Sequence, residues 1–554
     1  MLNLFSASWE GIPTQPVKQH RIIAAIDLGT NSLHMVVVNI DPTLPTFSII
    51  AREKETVRLG NRNLTTGELK PEIIKKAIAA LGRFQEVAKT FNTETIIAVA
   101  TSAVRESPNG KDFLHQVETE LGLSVDLISG QEEARRIYLG VLSGMEFHNQ
   151  PQMIIDIGGG STELILGDSH QARILTSTKI GAVRLTSELI TTDPISNAEF
   201  GRLQTYAHGM LERSVDEVLA NLQLEESPRL VGTSGTIETL AMIHAREKSG
   251  VIPSTFNGYQ FSLKDLRELV NRLRKLSNSE RAAIPGMPDK RAEVILAGAV
   301  ILQEAMTLLG SESVTVCERS LREGVIVDWM LTHGLIEDKL RYQSSVRERN
   351  VLKLAKKYHV NLEYSDRVAA FAQSLFDQTQ GTLHHWGSDE GQLLWAAAML
   401  HNCGHYVSHS SHHKHSYYLI RNGELLGYTE TEIEIIANLA RYHRKSPPKK
   451  KHENYQSLLT KEQRQIVSQL SAILRLAVAL DRRQIGAIAQ VQCEYYPQLR
   501  QCNLMVFRSQ SDDDCALELW NLDYKKGVFE EEFGVKLVAN LEKYSLASSL
   551  SRNN

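Results

Sequence analysis

The sequence predicts an α/β protein made of two similar halves, followed by a helical region and a small β-containing unit. Three observations carry this. Residues 22–32, IIAAIDLGTNS, and residues 153–163, MIIDIGGGSTE, repeat one phrase: an apolar run, an Asp, then Gly with hydroxyl or amide residues. Around and between the copies, strand-like runs alternate with amphipathic stretches, the pattern of α/β architecture. Beyond about residue 335 the alternation stops and helical spacing takes over.

The elements follow in order. IIAAID is a buried strand, VVVNI follows its glycine turn, and FSIIARE continues as a hairpin partner. PEIIKKAIAALGRFQEVAKTF has apolar residues at helical spacing, with Pro71 where a first turn begins. TIIAVAT and SVDLISG are further strands, and QEEARRIYLGVL opens a helix. From 153 the pattern restarts with MIIDIG and STELILGD, then a helix over about 196–222, the strand LVGTSGT and a helix opening near 236. The apolar stretch 294–310 and VTVCERSLREGV close this half. LLWAAAML, the run to ARYHR and QRQIVSQLSAILRLAVALDRR are helical, while VQCEYYPQ, CNLMVFRS and CALELW read as a small β unit. The expected division is a flexible extension over 1–20, halves at 21–145 and 146–335, a helical domain at 336–490 and a small α+β domain at 491–554.

At 554 residues the chain is too long for one core. Its 42% hydrophobic and 23% charged content is that of an ordinary globular protein. Five scattered Cys without a CxxC pair exclude a disulfide scaffold and a thiolate metal site, which points to a reducing compartment, the cytoplasm. No apolar run is long enough to span a bilayer, and the N-terminus lacks the pattern of a signal peptide. With a formal net charge of −4, a polyanionic ligand has to be met by local positive charge.

The doubled phrase points to phosphate chemistry. Gly lets the backbone bring N–H groups close to anionic oxygens, and an Asp at the strand end can hold Mg²⁺ directly or through water. Asp27, Gly29, Thr30, Asn31 and Ser32 form one such loop, and Asp156, Gly158, Gly159, Gly160, Ser161 and Thr162 the other, with a cleft expected between the halves. GTSGT adds Ser234, Gly235 and Thr236 ahead of a helix, a natural anion seat. Glu163 follows the second loop and is a metal candidate beside Asp156. Glu132 and Glu133 open a helix about 100° apart, so at most one faces a cleft, and spacing leaves the choice open. Arg105 after TIIAVAT has the planar fork that clamps phosphate. In the segment 440–452, Arg441, Arg444, Lys445, Lys449, Lys450 and Lys451 stand without an acid, a lane for a polyanion.

In this order, AAIDLGTNSLHMVV, ATSAVRE, ISGQEEARRIYLGV, IDIGGGSTELILG, GTSGTIE and SLREGV resemble the exopolyphosphatase / guanosine-pentaphosphate phosphohydrolase (Ppx/GppA) family. LHNCGHYVSHSSHHKHSYYLI and RYHRKS look like the HD-like extension of its longer members. The resemblance implies duplicated ribonuclease-H-like domains, the superfold of actin and sugar kinases, then an all-α HD-like domain and a small C-terminal domain. It makes Glu133 the catalytic base and Arg105 a phosphate clamp, and Asp27, Asp156 and Glu163 the metal-associated acids. It also implies Mg²⁺, a monovalent cation such as K⁺, and a homodimer, with neither nucleic acid nor membrane as partner. HD-type sites bind metal through a His-Asp pair and a later Asp. Here Asn402 follows His401, and Asp481 lacks that partner despite six His between 401 and 415, so a structural or substrate-channel role is expected.

The activity expected is processive release of orthophosphate from the end of inorganic polyphosphate. Conversion of guanosine pentaphosphate (pppGpp) to ppGpp is the alternative that the same motifs serve. A non-catalytic polyphosphate or alarmone sensor, and a kinase of the same superfold, are the readings from other classes.

Overall fold

Strand β1 (Arg21–Leu28) delivers Asp27 from a run whose residues 23–26 are buried. It pairs antiparallel with β2 (Leu33–Asp41), and β2 with β3 (Thr46–Glu55). On its other side β1 runs parallel to β4 (Thr95–Ala100), and β4 to β5 (Val125–Leu127). The computed structural model describes residues 20–63, 65–147, 150–250, 252–336, 346–510 and 514–542. Apart from His20, the extension expected over 1–20 lies outside these. The chain clusters into two compact units, residues 1–129 with 325–337, and residues 130–324 with 338–554. The first carries the sheet β3-β2-β1-β4-β5. Helix Pro71–Thr90, with its Pro in the first turn, lays Ala77, Leu81 and Phe84 into the core beneath Ile26 and Met35.

The second unit repeats this topology. Strands β6 (Gln152–Ile157), β7 (Thr162–Gly167) and β8 (Ala172–Thr178) form an antiparallel meander, and β9 (Arg229–Thr233) runs parallel to β6. With β10 (Gln260–Ser262) and β11 (Ser313–Val316) the order is β10-β11-β9-β6-β7-β8. Read from the meander, β8-β7-β6-β9-β11 matches β3-β2-β1-β4-β5 in order and direction, with β10 an added edge. Register carries the repeat to single residues: Asp27 lies opposite His34 and Asp156 opposite Glu163, each seven positions on. The long apolar text before residue 310 is helix Ile295–Leu308, buried on almost every side.

The helical region contributes Val346–Lys357, Leu362–Thr379, Ser388–Leu400, His412–Arg421, Glu430–Tyr442 and Lys461–Leu480. It shares one apolar core with a terminal sheet β12-β13-β14 (Ile488–Tyr496, Gln501–Arg508, Lys536–Glu542), to which the helices contribute Val368 and Leu476 and the strands Val491, Leu504 and Leu537. CALELW, expected as a β run, is the start of helix Ala516–Lys525. Its buried positions are Glu518, Asn521 and Leu522, following buried Cys515 at the N-cap, a helical spacing hidden because Glu518 is charged and Asn521 polar. Ion pairs hold the helical region to the rest of its unit: Arg347 reaches Glu146 at 3.2 Å and Glu432 at 2.8 Å, and Glu424 meets Arg319 at 3.6 Å and Lys353 at 3.1 Å. Among the described residues no helix is long and apolar enough to cross a membrane.

Candidate active site

The two Asp loops share a backbone geometry. A Cβ on Gly29 would lie 3.0 Å from the Ser32 carbonyl oxygen, and one on Gly158 3.0 Å from that of Ser161. Each loop thus curls back on itself just past its Asp. In the first unit the loop is pinned from outside, since the Thr30 and Asn31 carbonyls accept from Gly60 N at 2.8 Å and Arg58 N at 2.9 Å. Ser32 Oγ is buried and has no hydrogen-bond partner among the described residues. Arg105 ends the short helix after β4, and its Nη1 donates to the Ile128 carbonyl at 2.7 Å, which fixes its fork.

In the second unit the Gly158 and Gly159 carbonyls accept from the first amides of helix Ala182–Leu189, and Arg184 Nε donates to Gly160 O at 2.8 Å. Among the described residues the Gly159 and Gly160 amides make no hydrogen bond, the kind of backbone N–H that an anion can take. The loop hydroxyls are largely committed to the fold. Thr162 donates to Ile180 O at 2.9 Å, and Ser234 and Thr236 donate to Ile157 O at 2.9 and 3.1 Å. What these residues offer an anion is backbone N–H, at the start of helix Gly235–Ser249. Ser234 takes φ +88°, a conformation costly for a residue with a Cβ and one that gathers at functional loops.

Three carboxylates meet here. β6 and β7 put Asp156 and Glu163 directly opposite, so both side chains lie on one face of the sheet. Helix Gly130–Gly144 brings Glu133, which is buried. Glu132, the neighbour spacing could not separate from it, is held by Arg135 at 2.7 Å and Arg136 at 2.8 Å and stays a low-pKa surface acid. Burial pushes the Asp156 carboxyl up to about 6, against the opposing pull of the Ser320 hydroxyl, which donates to it, and of Arg322 and Arg291. Glu163 is raised well above the usual range, first by burial and then by the charges of Glu133 and Asp156. The Ser177 hydroxyl, donating at 2.7 Å, offsets only part of this. The mutual repulsion that raises Glu163 is relieved by positive charge, which Arg291 and Arg322 supply in part at Asp156.

Three residues with no sequence signal complete the cluster. Arg291 lies against the GTSGT loop: a Cβ on Gly235 would fall 2.0 Å from its Nη2, so a side chain at 235 would have to push the guanidinium tip aside. Ser320 and Arg322 stand in SLREGV, which the sequence shows as a motif without a chemical role. Arg319, beside them, accepts from Thr233 Oγ1 through its carbonyl at 3.0 Å and donates to Ser143 Oγ at 3.1 Å, bracing β9 against the helix of Glu133.

The helical region holds its titratable groups differently. His401 Nδ1 sits 2.6 Å from Ala398 O, and Asp481 is taken by Arg367 at 2.8 Å. Among the described residues, no three His, Cys, Asp or Glu side chains converge as a ready-made ligand set. In the basic segment Lys445, Lys449, Lys450 and Lys451 are exposed, and Arg441 and Arg444 are half-buried.

The profile of the Ppx/GppA phosphatase family matches residues 36–333, and that of Ppx/GppA phosphatase domain III matches residues 346–526. Among solved structures, an exopolyphosphatase from Cytophaga hutchinsonii is 27% identical across 57% of this chain and 100% of its own, with a TM-score of 0.52. The Aquifex aeolicus Ppx/GppA protein is 28% identical across 57% of this chain and 99% of its own, with a TM-score of 0.49. The chain belongs to the Ppx/GppA phosphatase family.

Proposed function

We propose that the protein is an exopolyphosphatase, releasing orthophosphate from the end of linear polyphosphate. The observation that carries this is the buried meeting of Glu133, Asp156 and Glu163 beside amides left free by the Gly158–Gly160 loop. Glu133 takes a proton from the attacking water; the new P–O bond forms as the bridging P–O bond breaks, and the shortened chain leaves. Backbone N–H groups of the glycine loop and of residues 235–236, with the Arg291 and Arg322 cations, hold the phosphoryl oxygens, since such transfer depends on placement and charge. Asp156 and Glu163 fit Mg²⁺, which takes one or two carboxylates and fills its shell with water and phosphate oxygens, so no converged triad is needed. The ion would neutralise charge building on the transferred group. Asp27 and Arg105 carry the corresponding proposal for the first unit.

The basic segment 441–451 and the naming of the Cytophaga hutchinsonii protein as an exopolyphosphatase favour the polymer over guanosine pentaphosphate. We take ribonuclease-H-like halves, an HD-like helical region and a cytoplasmic homodimer as parts of the same proposal. The test is phosphate release from long-chain polyphosphate and from guanosine pentaphosphate with Mg²⁺, compared by kcat/KM. A ratio strongly favouring the nucleotide reverses the substrate. Glu133→Gln is expected to lose most of kcat while Glu132→Gln keeps it, and near-normal turnover by Glu133→Gln overturns the base.

A further inference from the structure

The acid cluster is tied to the rest of its unit at one arginine. Arg319, only 5% exposed, passes its side chain across Gly144, where an added Cβ would lie 3.1–3.3 Å from its Cδ, Cγ and Cβ. Its Nη1 donates to Ser143 Oγ at 3.1 Å, and that hydroxyl donates on to the Gly140 carbonyl at 2.7 Å. Its own carbonyl accepts from Thr233 at 3.0 Å, one residue before the Ser234–Thr236 loop. The next residue, Ser320, donates to Asp156. Arg319 therefore meets the end of the helix that carries Glu133, the approach to the amide loop and, through its neighbour, the acids. The helical region reaches the same guanidinium. Glu424, on the turn after helix His412–Arg421, places Oε1 3.6 Å from Arg319 Nη2. Its Oε2 lies 3.1 Å from Lys353 Nζ on helix Val346–Lys357. A guanidinium fixed from both ends, by Ser143 and by Glu424, has little freedom to turn.

The position of Ser143 matters because helix Gly130–Gly144 has a fulcrum. At Gly140 it lies against the Ser320 carbonyl, so close that an added Cβ would fall 2.0 Å from that oxygen. At about 1.5 Å of rise per residue, Glu133 stands about 10 Å from this contact on one side and Ser143 about 4.5 Å on the other. A rigid helix turning about Gly140 multiplies a displacement at Ser143 by roughly 2.3 at Glu133. A slip of about 0.4 Å at the Arg319 end becomes about 1 Å at the carboxylate, enough to cost about 100-fold in rate.

We propose that Arg319 is a positioning residue set by Glu424, so that the helical region fixes the angle of the Glu133 helix through the chain Glu424–Arg319–Ser143. Resting on the reading of Glu133 as the base, this gives the helical region a part in the chemical step that does not depend on holding substrate. A ligand that moves the Glu424 turn changes turnover without touching the acids.

The experiment uses the full chain, with kcat and KM for long-chain polyphosphate and Mg²⁺, and hydrogen–deuterium exchange of the ligand-free protein. Ser143→Ala and Glu424→Gln are each expected to lower kcat at least about fivefold, with KM within about twofold of wild type. Because both act through one guanidinium, the double variant is expected to fall no more than about twofold below the less active single variant. Losses that multiply, to about 25-fold, overturn the chain, as does wild-type kcat in Glu424→Gln. Arg319→Lys keeps the charge but cannot span both partners, so it is expected to match the double variant, and wild-type kcat in it overturns the positioning role. Ser254→Ala removes a different bond to the helical region, from Ser254 to Glu430 at 2.8 Å. It is expected to keep kcat within about twofold, and a loss of about fivefold there shows general loosening and overturns the link. Exchange over residues 134–144 is expected to quicken at least about threefold in Ser143→Ala and in Glu424→Gln. Unchanged exchange overturns the link whether or not the wild type is active. Quickened exchange in the variants of a protein that releases no phosphate refutes the hydrolase reading alone.

Discussion

Gly324→Ala is the substitution that tests most sharply how Glu133 is held. Helix Gly130–Gly144 crosses the start of helix Leu321–Thr332 at two glycines, where an added Cβ on Gly140 would lie 2.0 Å from Ser320 O and one on Gly324 1.7 Å from Arg136 O. Real Cβ contacts do not fall below 3.0 Å, so one methyl at 324 forces the helices apart by about 1.3 Å. Such overpacking costs about 1–3 kcal/mol, partly offset by the roughly 1 kcal/mol that Ala gains over Gly in a helix. In a cooperative unit of about 400 residues the net change moves Tm by only about 1–3 °C. Arg136 is one turn beyond Glu133 on the same helix, so its displacement carries the Glu133 carboxylate away from Asp156 and Glu163. A shift of about 1 Å at a reacting group costs about 100-fold in rate. The expected result is a folded protein with kcat down about 100-fold, measured by phosphate release beside thermal unfolding. Gly209→Ala is the control, because a Cβ there meets nothing within 4 Å, and it should gain stability of roughly 0.5–1 kcal/mol. Wild-type turnover by Gly324→Ala would refute the claim that this crossing positions Glu133 as the proposed base.

Asp156→Asn should stabilise the metal-free protein at alkaline pH. With its carboxyl raised from 3.8 to about 6, the folded chain holds a proton that the unfolded chain has released across that window, so stability falls as pH rises through it. The deficit at pH 8 is about 3 kcal/mol, absent below pH 4, and urea midpoints in EDTA at both pH values check it; a variant less stable than wild type at pH 8 contradicts the assignment. A chain ending near residue 335 should fail to fold its second unit, because it strips Arg347 from Glu146 and Glu424 from the buried Arg319. Soluble yield and near-UV circular dichroism read this, and a well-folded truncation would show the helical region to be dispensable.

What was legible in the sequence followed local periodicity. Asp156 and Glu163 are seven apart across a tight turn, and a hairpin of that length brings its two ends face to face. The buried helix Ile295–Leu308 and the Pro-started helix Pro71–Thr90 stood out for the same reason. The choice between Glu132 and Glu133 was not legible from spacing, because it turns on where Arg135 and Arg136 place their guanidiniums, both of which bond Glu132. Arg291 left no trace, since it reaches Gly235 only through the tertiary fold from a polar 3-10 turn more than 50 positions away.

The two Asp loops share strand pairing, glycine geometry and the seven-residue register, yet they differ in the residue opposite the Asp. In the first unit it is His34, and in the second Glu163. A histidine opposite an aspartate adds no second carboxylate; a glutamate there, with Glu133 added from the helix, does. The duplicated backbone therefore gives both halves an Asp ahead of a glycine turn, while further carboxylates gather beside it in the second. That asymmetry gives the proposed Mg²⁺ site a residue-level test. Glu163→His, copying the first loop, should raise the metal-free stability of the second unit at pH 8 and abolish the Mg²⁺-dependent part of its Tm. A variant that keeps the full Mg²⁺ response would show that the ion is held by something other than the facing pair.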